Sequence, residues 1–273
     1  MYLMNTKTKE KFDAAKREVD SKRVLVAFSG GLDSTVLASL VKEVASKTVL
    51  LTVSTQTVPQ VELDDARRIS KELGLDLVVK DINWLANEDL SNNSTDRCFR
   101  CKEILADLWL NTAEELGLDI VVEGTTASEV EGYRPGLKAL EDSGVISPLL
   151  DAGLSKEELR EYARERGLSV AEKASMACLA TRFPYGTKIN QNLLTMVEKV
   201  ENAVIEIFGV KCVRARYHGN LVRIEVGANE LERMFVLDKL RQLDEIAKGA
   251  GFTYVTLDLT GYRTGAMDEK LNL

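Results

Sequence analysis

The sequence predicts an α/β protein, a doubly wound and mostly parallel sheet followed by a smaller C-terminal α+β domain. Three observations carry that prediction. Short, bounded apolar runs alternate with stretches of helical periodicity up to residue 171. The first of these runs ends in a glycine turn, Ser29-Gly30-Gly31-Leu32-Asp33-Ser34, which opens an apolar-periodic helix. Beyond residue 190 the alternation stops, and a helix, a hairpin, a second helix and a last strand follow. The expected domains are therefore 1–171 and 172–273.

In chain order, Asn5 to Ser21 reads as an amphipathic helix with Phe12, Ala15 and Val19 on one side. The run Arg23 to Phe28, ending in Ala27-Phe28, suits a strand buried on both faces. The helix from near Ser34 carries Val36, Leu37, Leu40, Val41 and Val44 at helical spacing. Between them two glycines let the backbone turn, and amides at a helix N-terminus favour an anion. The turn lacks the lysine of a Walker P-loop and the G-x-G-x-x-G of dinucleotide folds. Ser29 and Ser34 add hydroxyl donors, whereas Asp33 in an anion cradle calls for an accompanying cation, which points to a magnesium nucleotide.

A strand at Val49 to Val53 leads to Ser54, a helix spans Glu62 to Leu73, and a strand spans Leu75 to Ile82. Ligands of such sheets bind at the carboxyl ends of the strands, so the glycine turn and Ser54 fall on one rim. After a polar stretch, 83–97, Arg97-Cys98-Phe99-Arg100-Cys101-Lys102 opens a helix to Leu116. Cysteines three apart lie on one helix face, and the dipole with the nearby cations favours thiolates. One C-x-x-C suits a zinc half-site, a redox dithiol or simple packing alike. The strand Asp119 to Glu123 ends in a second glycine turn, Gly124-Thr125-Thr126, where backbone can approach a nucleotide closely. Glu129 and Tyr133 to Leu137 read as a loop, and Ser155 with Glu158 forms a capping box for a scaffold helix ending at Gly167.

The irregular stretch 172–190 holds Cys178 and Arg182. The second domain then reads as a helix over Gln191 to Phe208, strands Cys212 to His218 and Leu221 to Val226 turning at Gly219-Asn220, a helix over Glu230 to Lys248 and a strand over Tyr254 to Leu259. Period-two alternation puts Arg214, Arg216 and His218 on one face, as either a solvated surface or a clamp for phosphate or carboxylate.

Composition narrows the function classes. With 273 residues, 45% hydrophobic and 29% charged, the chain can bury a core without staples. No run reaches the ~20 apolar residues of a membrane span, and Met1 to Asp20 is polar, so a cytoplasmic protein without a membrane partner is expected. There, the four cysteines are expected as thiols, ligands or redox groups. A net charge of −7 argues against a nucleic-acid partner.

Taken together, SGGLDS, R-C-F-R-C-K, G-T-T with Y-R-P-G-L, A-C-L-A-T-R-F-P-Y-G and R-A-R-Y-H-G with R-I-E-V resemble the LarE family of PP-loop ATP pyrophosphatases, over roughly Val24 to Val226. The resemblance implies an ATP-dependent sulfur transferase of nickel-pincer cofactor biosynthesis. ATP would adenylate a carboxylate of pyridinium-3,5-biscarboxylic acid mononucleotide, and sulfur would then displace AMP. It implies that Ala27, Ser29, Gly30, Gly31, Leu32, Asp33, Ser34, Ser54, Gly124 and Thr125 serve Mg-ATP, with Asp33 and Cys178 catalytic. It further implies that Arg214 and Arg216, and less directly Arg182, bind substrate. Members matching only Cys178 surrender its own sulfur, whereas members that also match Cys98 and Cys101 hold a 4Fe-4S cluster carrying a sulfide on its open iron, as three-thiolate ligation allows. The cluster version is expected here, with a homo-oligomer and the other nickel-pincer proteins as partners. A tRNA thiolase and a zinc-stabilised module built on Cys98, Cys101, Cys178 and His218 are the alternatives.

Overall fold

A computed structural model describes residues 5–129, 135–173, 177–263 and 266–267. The chain divides into two compact units. The first comprises residues 1–55, 60–82 and 96–176, and the second comprises 56–59, 83–95 and 177–273.

The first unit is built on a four-stranded parallel sheet of β1 (Arg23–Ala27), β2 (Lys47–Ser54), β3 (Asp76–Asp81) and β4 (Ile120–Val122), in the order β3-β2-β1-β4. The central strand is apolar on both sides because both sides are covered. Val24 and Val26 enter one core with Phe12, Val36, Leu40 and Leu159, and Leu25 enters another with Leu51, Ala106 and Trp109. The flanking helices are α1 (Thr6–Val19), α2 (Leu32–Val44), α3 (Gln60–Leu73), α5 (Arg97–Glu115), α6 (Pro135–Ser143), α7 (Pro148–Asp151) and α8 (Lys156–Glu165), and the short α4 (Glu88–Ser91) belongs to the second unit. Strand order reverses beside β1, which puts the crevice of the sheet at the end of β1.

Of the expected loop 133–137, Tyr133 and Arg134 lie outside the described residues, and Pro135 to Leu137 is not loop but the start of α6. Proline at a first helical position loses no hydrogen bond and brings a suitable φ, so the Pro-Gly pair opens this helix rather than breaking one.

The capping box of α8 forms as expected, with Ser155 Oγ accepting from the Glu158 amide and Glu158 accepting from the Ser155 amide. Glu158 also accepts from Thr8 Oγ1 and Lys11 Nζ, each at 2.9 Å, which ties α8 to α1. Burial pushes its carboxyl up, but the Ser155 amide, the Lys11 ammonium and the Thr8 hydroxyl together outweigh burial and hold it below the usual carboxylate range. A depressed folded-state pKa stabilises the fold above the unfolded value, and that stability is lost as pH falls through the folded one. Glu158→Gln is expected to cost about 1 kcal/mol at neutral pH. Urea titrations should show the difference from the parent chain in full above the ordinary carboxylate range and shrinking as pH falls through the lower folded-state value.

The second unit holds a three-stranded sheet of β5 (Val213–His218), β6 (Leu221–Val226) and β7 (Tyr254–Leu257), in which β5 pairs antiparallel and β7 parallel to β6. Helices α9 (Gln191–Phe208) and α10 (Leu237–Ala250) complete it. The expected helix from Glu230 starts seven residues late, because 228–234 is a 3-10 turn. The Glu230 carboxylate holds the amides of Lys211 and Cys212 at 2.9 and 3.0 Å, and Val236 is extended. Segment 83–95 joins this unit through backbone bonds from Gly186 to Asn93 and from Ile189 to Ser91. Among the described residues no helix is long and apolar enough to cross a membrane.

Candidate active site

The glycine turn sits where β1 ends, with the Phe28 amide still donating to Leu51 of β2. Gly30 has φ +68°, and a Cβ there would lie 2.8 Å from the Ala66 backbone of α3, so glycine is required both by conformation and by space. Gly31 caps α2 through its backbone with no side-chain cap bond, which leaves first-turn amides to solvent or a ligand. The helix begins at Leu32, two residues earlier than expected. Ser29 and Ser34 hydroxyls lie 3.1 Å apart, Ser34 Oγ accepts the Ser29 amide and Ser29 Oγ the Gly31 amide. The serines therefore set the loop's shape as well as lining it.

The second glycine turn meets the first. A Cβ on Gly124 would stand 3.0 Å from the Ser34 nitrogen, so the end of β4 lies against the start of α2. The buried Glu123 carboxylate fixes that turn by accepting from the Thr125 amide and hydroxyl at 3.0 and 2.8 Å and from Ser147 Oγ at 2.6 Å. Ser54 ends β2, the neighbour of β1. Ala27, Ser29 to Ser34, Ser54, Gly124 and Thr125 thus share the carboxyl rim of one parallel sheet, as the alternation of strands and helices predicts.

Two lysines join this rim that sequence reasoning passed over. Lys173 Nζ donates to the Gly30 carbonyl at 3.0 Å and pairs with Glu62 and Asp65 of α3 at 3.2 and 2.8 Å. Lys156, on the helix read as scaffold, pairs with Asp33 at 3.1 Å. No local pattern marks either one, because each arrives by a long-range crossing of the chain. Lys173→Met would remove the ammonium shared by Glu62 and Asp65, leaving Asp65 to Arg68 alone, and would take a donor from the Gly30 carbonyl. It is expected to cost about 1–3 kcal/mol in urea unfolding and to weaken nucleotide binding in calorimetric titrations.

Cys98 and Cys101 lie three residues apart at the start of α5, both half-exposed. Of the three nearby cations, buried Arg97 reaches the sulfur directly, its Nη2 donating to Cys98 Sγ at 3.2 Å. Arg100 pairs with Asp96 at 2.6 Å and Lys102 lies over the Trp109 ring. Gly136 lets α6 approach the start of α5, since a Cβ there would lie 3.0 Å from Lys102 Cγ and 3.7 Å from the Cys98 carbonyl.

In the second unit Cys178 is exposed and precedes the 3-10 turn Leu179–Arg182. Arg182 is wholly buried and anchors that turn. Its Nη1 donates to the Ala177 and Cys178 carbonyls at 3.0 and 3.3 Å, while Nε and Nη2 grip Glu201 at 2.7 and 2.9 Å. Arg214 and Arg216 are buried too, not on a solvated face. Arg216 Nε and Nη2 both donate to Glu225 Oε2, at 3.0 and 2.9 Å, and Nη1 donates to the Thr181 carbonyl. The Arg214 guanidinium lies 4.9 Å from the Tyr262 ring, and burial together with the Arg182 charge pushes its pKa down against the opposing pull of Glu201. His218 lies beside Arg223, which also pairs with Glu225 and Asp258. Cys212 is half-buried, and burial pushes its thiol up. Within each unit, among the described residues, no three His, Cys, Asp or Glu side chains gather as a metal site.

Comparison with known proteins fits this geometry. Residues 4–106 match the model of a PP-loop domain family. The chain is 32% identical to the pyridinium-3,5-bisthiocarboxylic acid mononucleotide synthase of Lactiplantibacillus plantarum, over 92% of this chain and 91% of that one. It is 34% identical to an uncharacterized protein of Synechocystis sp., over 91% of this chain and 93% of the other. Likeness to a tRNA-specific 2-thiouridylase of Geobacter metallireducens, 29% identical, spans 56% of this chain and 53% of that enzyme.

Proposed function

The chain belongs to the LarE family of PP-loop sulfur transferases, and from that premise we propose that it converts a carboxylate of pyridinium-3,5-biscarboxylic acid mononucleotide to a thiocarboxylate at the expense of ATP. One observation carries the reading. Likeness to the synthase runs through both units, over 92% of the chain, and so takes in the nucleotide rim and the Cys178 turn together. Likeness to the thiouridylase stops near half of each chain, which makes a tRNA substrate the weaker reading.

In this reading the first-turn amides of α2 and the Ser29 and Ser34 hydroxyls bind the β and γ phosphates, and Asp33 meets the magnesium ion. The rim from Ser54 to Gly124 and Thr125 receives the nucleoside. A substrate carboxylate oxygen attacks the α phosphorus, and the bond to the α–β bridging oxygen breaks with its electron pair leaving on pyrophosphate. Sulfur then attacks the acyl carbon and AMP departs with the oxygen it had activated. Arg214 meets substrate phosphate or carboxylate, for which a planar guanidinium is suited, whereas Arg216, its fork spent on Glu225, holds the Thr181 carbonyl of the turn that follows Cys178. Arg182 sets the position of Cys178 by holding its carbonyl.

The donor set fits a soft cluster, with two thiols in one turn of α5, an N–H···S bond from Arg97 and a third, exposed thiol at Cys178. Cys98, Cys101 and Cys178 would hold a 4Fe-4S cluster, which when bound offers exogenous sulfide an iron free of protein ligands. An exposed Cys178 also suits the sacrificial version, in which its own sulfur is given up. The activation half is tested by incubating the chain with Mg-ATP and the pyridinium dicarboxylate mononucleotide. Pyrophosphate release that depends on that compound is expected, and release indifferent to it would sink the assignment.

A further inference from the structure

We propose that Lys156 is the phosphate-binding lysine of this PP-loop, supplied from α8 because the loop's own sequence has none. The inference rests on the ATP-dependent reading of the rim. In a Walker loop the cation is part of the motif. Here Ser29 to Ser34 contains an aspartate and no cation, a poor cradle for a polyanion unless positive charge comes from elsewhere in the chain. Among the described residues the ammonium groups of Lys173 and Lys156 reach the loop, and their surroundings divide the labour.

Lys173 distributes its donors over the Gly30 carbonyl, Glu62 and Asp65 and is 16% exposed, so it works as a clamp between loop and α3. Lys156 is 25% exposed and its ammonium lies 3.1 Å from Asp33, itself 21% exposed. The anchor of Lys156 is rigid. It is the first residue of α8, its amide donates to Ser128 Oγ at 3.0 Å, and the helix start is held by the Ser155–Glu158 box and by Glu158 against α1. The stem is a flexible four-carbon chain. A fixed base with a movable head can exchange partners. When Mg-ATP arrives, Asp33 turns to the metal and the Lys156 ammonium to the β and γ phosphates, so that no charge in the rim loses a counter-charge. The same ammonium then stabilises the negative charge gathering on departing pyrophosphate.

Calorimetric titration of Mg-ATP, Mg-pyrophosphate and AMP into the parent chain, Lys156→Met and Lys156→Arg tests the assignment. The methionine variant is expected to bind Mg-ATP and Mg-pyrophosphate about 10- to 100-fold more weakly, the worth of a charge-assisted hydrogen bond, while AMP changes by less than about twofold. Arginine should recover most of the loss. Because Lys156→Met leaves Asp33 without its ion-pair partner, the same substitution is also made in an Asp33→Asn background, and thermal melting confirms folding. A selective loss of pyrophosphate affinity in that background supports the proposal. An equal loss for all three ligands, or no loss once Asp33 is neutralised, overturns it by showing that the lysine serves only the aspartate. A parent chain that binds none of the three overturns the ATP reading itself.

Discussion

Cys178→Ser is expected to abolish thiocarboxylate formation while leaving Mg-ATP binding within about twofold of the parent, a separation larger than any other single substitution should give. The side chain is exposed, and Arg182 holds the backbone carbonyl of Cys178. The Cys178 carbonyl accepts from Thr181 and Arg182, bonds that serine leaves intact. What is lost is the soft donor. Serine neither ligates iron as a thiolate does nor carries a transferable sulfur, so both versions of the chemistry stop at the adenylated substrate. Chromatography of the pyridinium products, beside calorimetric titration with Mg-ATP, reads the two effects separately. Thiocarboxylate from the serine variant would remove Cys178 from the reaction.

Glu201→Ala should be the most damaging change to the fold of the second unit, costing about 3–5 kcal/mol in denaturant unfolding. Glu201 is 3% exposed and Arg182 is 0%, so truncation strands a guanidinium in a dry interior. The Glu201 carboxylate also accepts the Ala215 amide of β5 at 2.8 Å, which would lose its partner. Removing both charges as Arg182→Met with Glu201→Leu should be milder for stability, because no buried charge is left alone. That double variant should nevertheless fail at sulfur transfer, since the Cys178 turn loses the donor that holds the Ala177 and Cys178 carbonyls. Full activity in the double variant would deny Arg182 its positioning role.

Much of the first unit was legible because its signals are local. Short bounded apolar runs name β1, β2 and β4, the period of 3.6 names α2, and the Ser155–Glu158 pair marks the start of α8. The glycine turns were legible as turn residues between strand and helix, although the contacts that demand glycine, Gly30 against Ala66 and Gly124 against Ser34, are long-range. What escaped reading was long-range. Lys156 and Lys173 reach the loop from over a hundred residues away, and nothing in their own surroundings sets them apart. Segment 83–95 looks unpatterned because its partners, Gly186 and Ile189, lie nearly a hundred residues on. The arginine face of β5 obeys period two, but alternation does not distinguish water from buried carboxylates. Here Glu201 and Glu225 cover it. The start of α10 was misjudged because Glu230 spends its carboxylate on the Lys211 and Cys212 amides instead of opening a helix.

The most direct measurement is a count of sulfur atoms delivered per chain. Under anaerobic conditions the protein is incubated with Mg-ATP, sulfide and the pyridinium dicarboxylate mononucleotide, and thiocarboxylate, AMP and the mass of the peptide bearing Cys178 are followed together. The account predicts thiocarboxylate and AMP in equal amounts, rising beyond the amount of protein, with Cys178 unchanged. Product that stops at one sulfur per chain, with Cys178 converted to dehydroalanine, would contradict it.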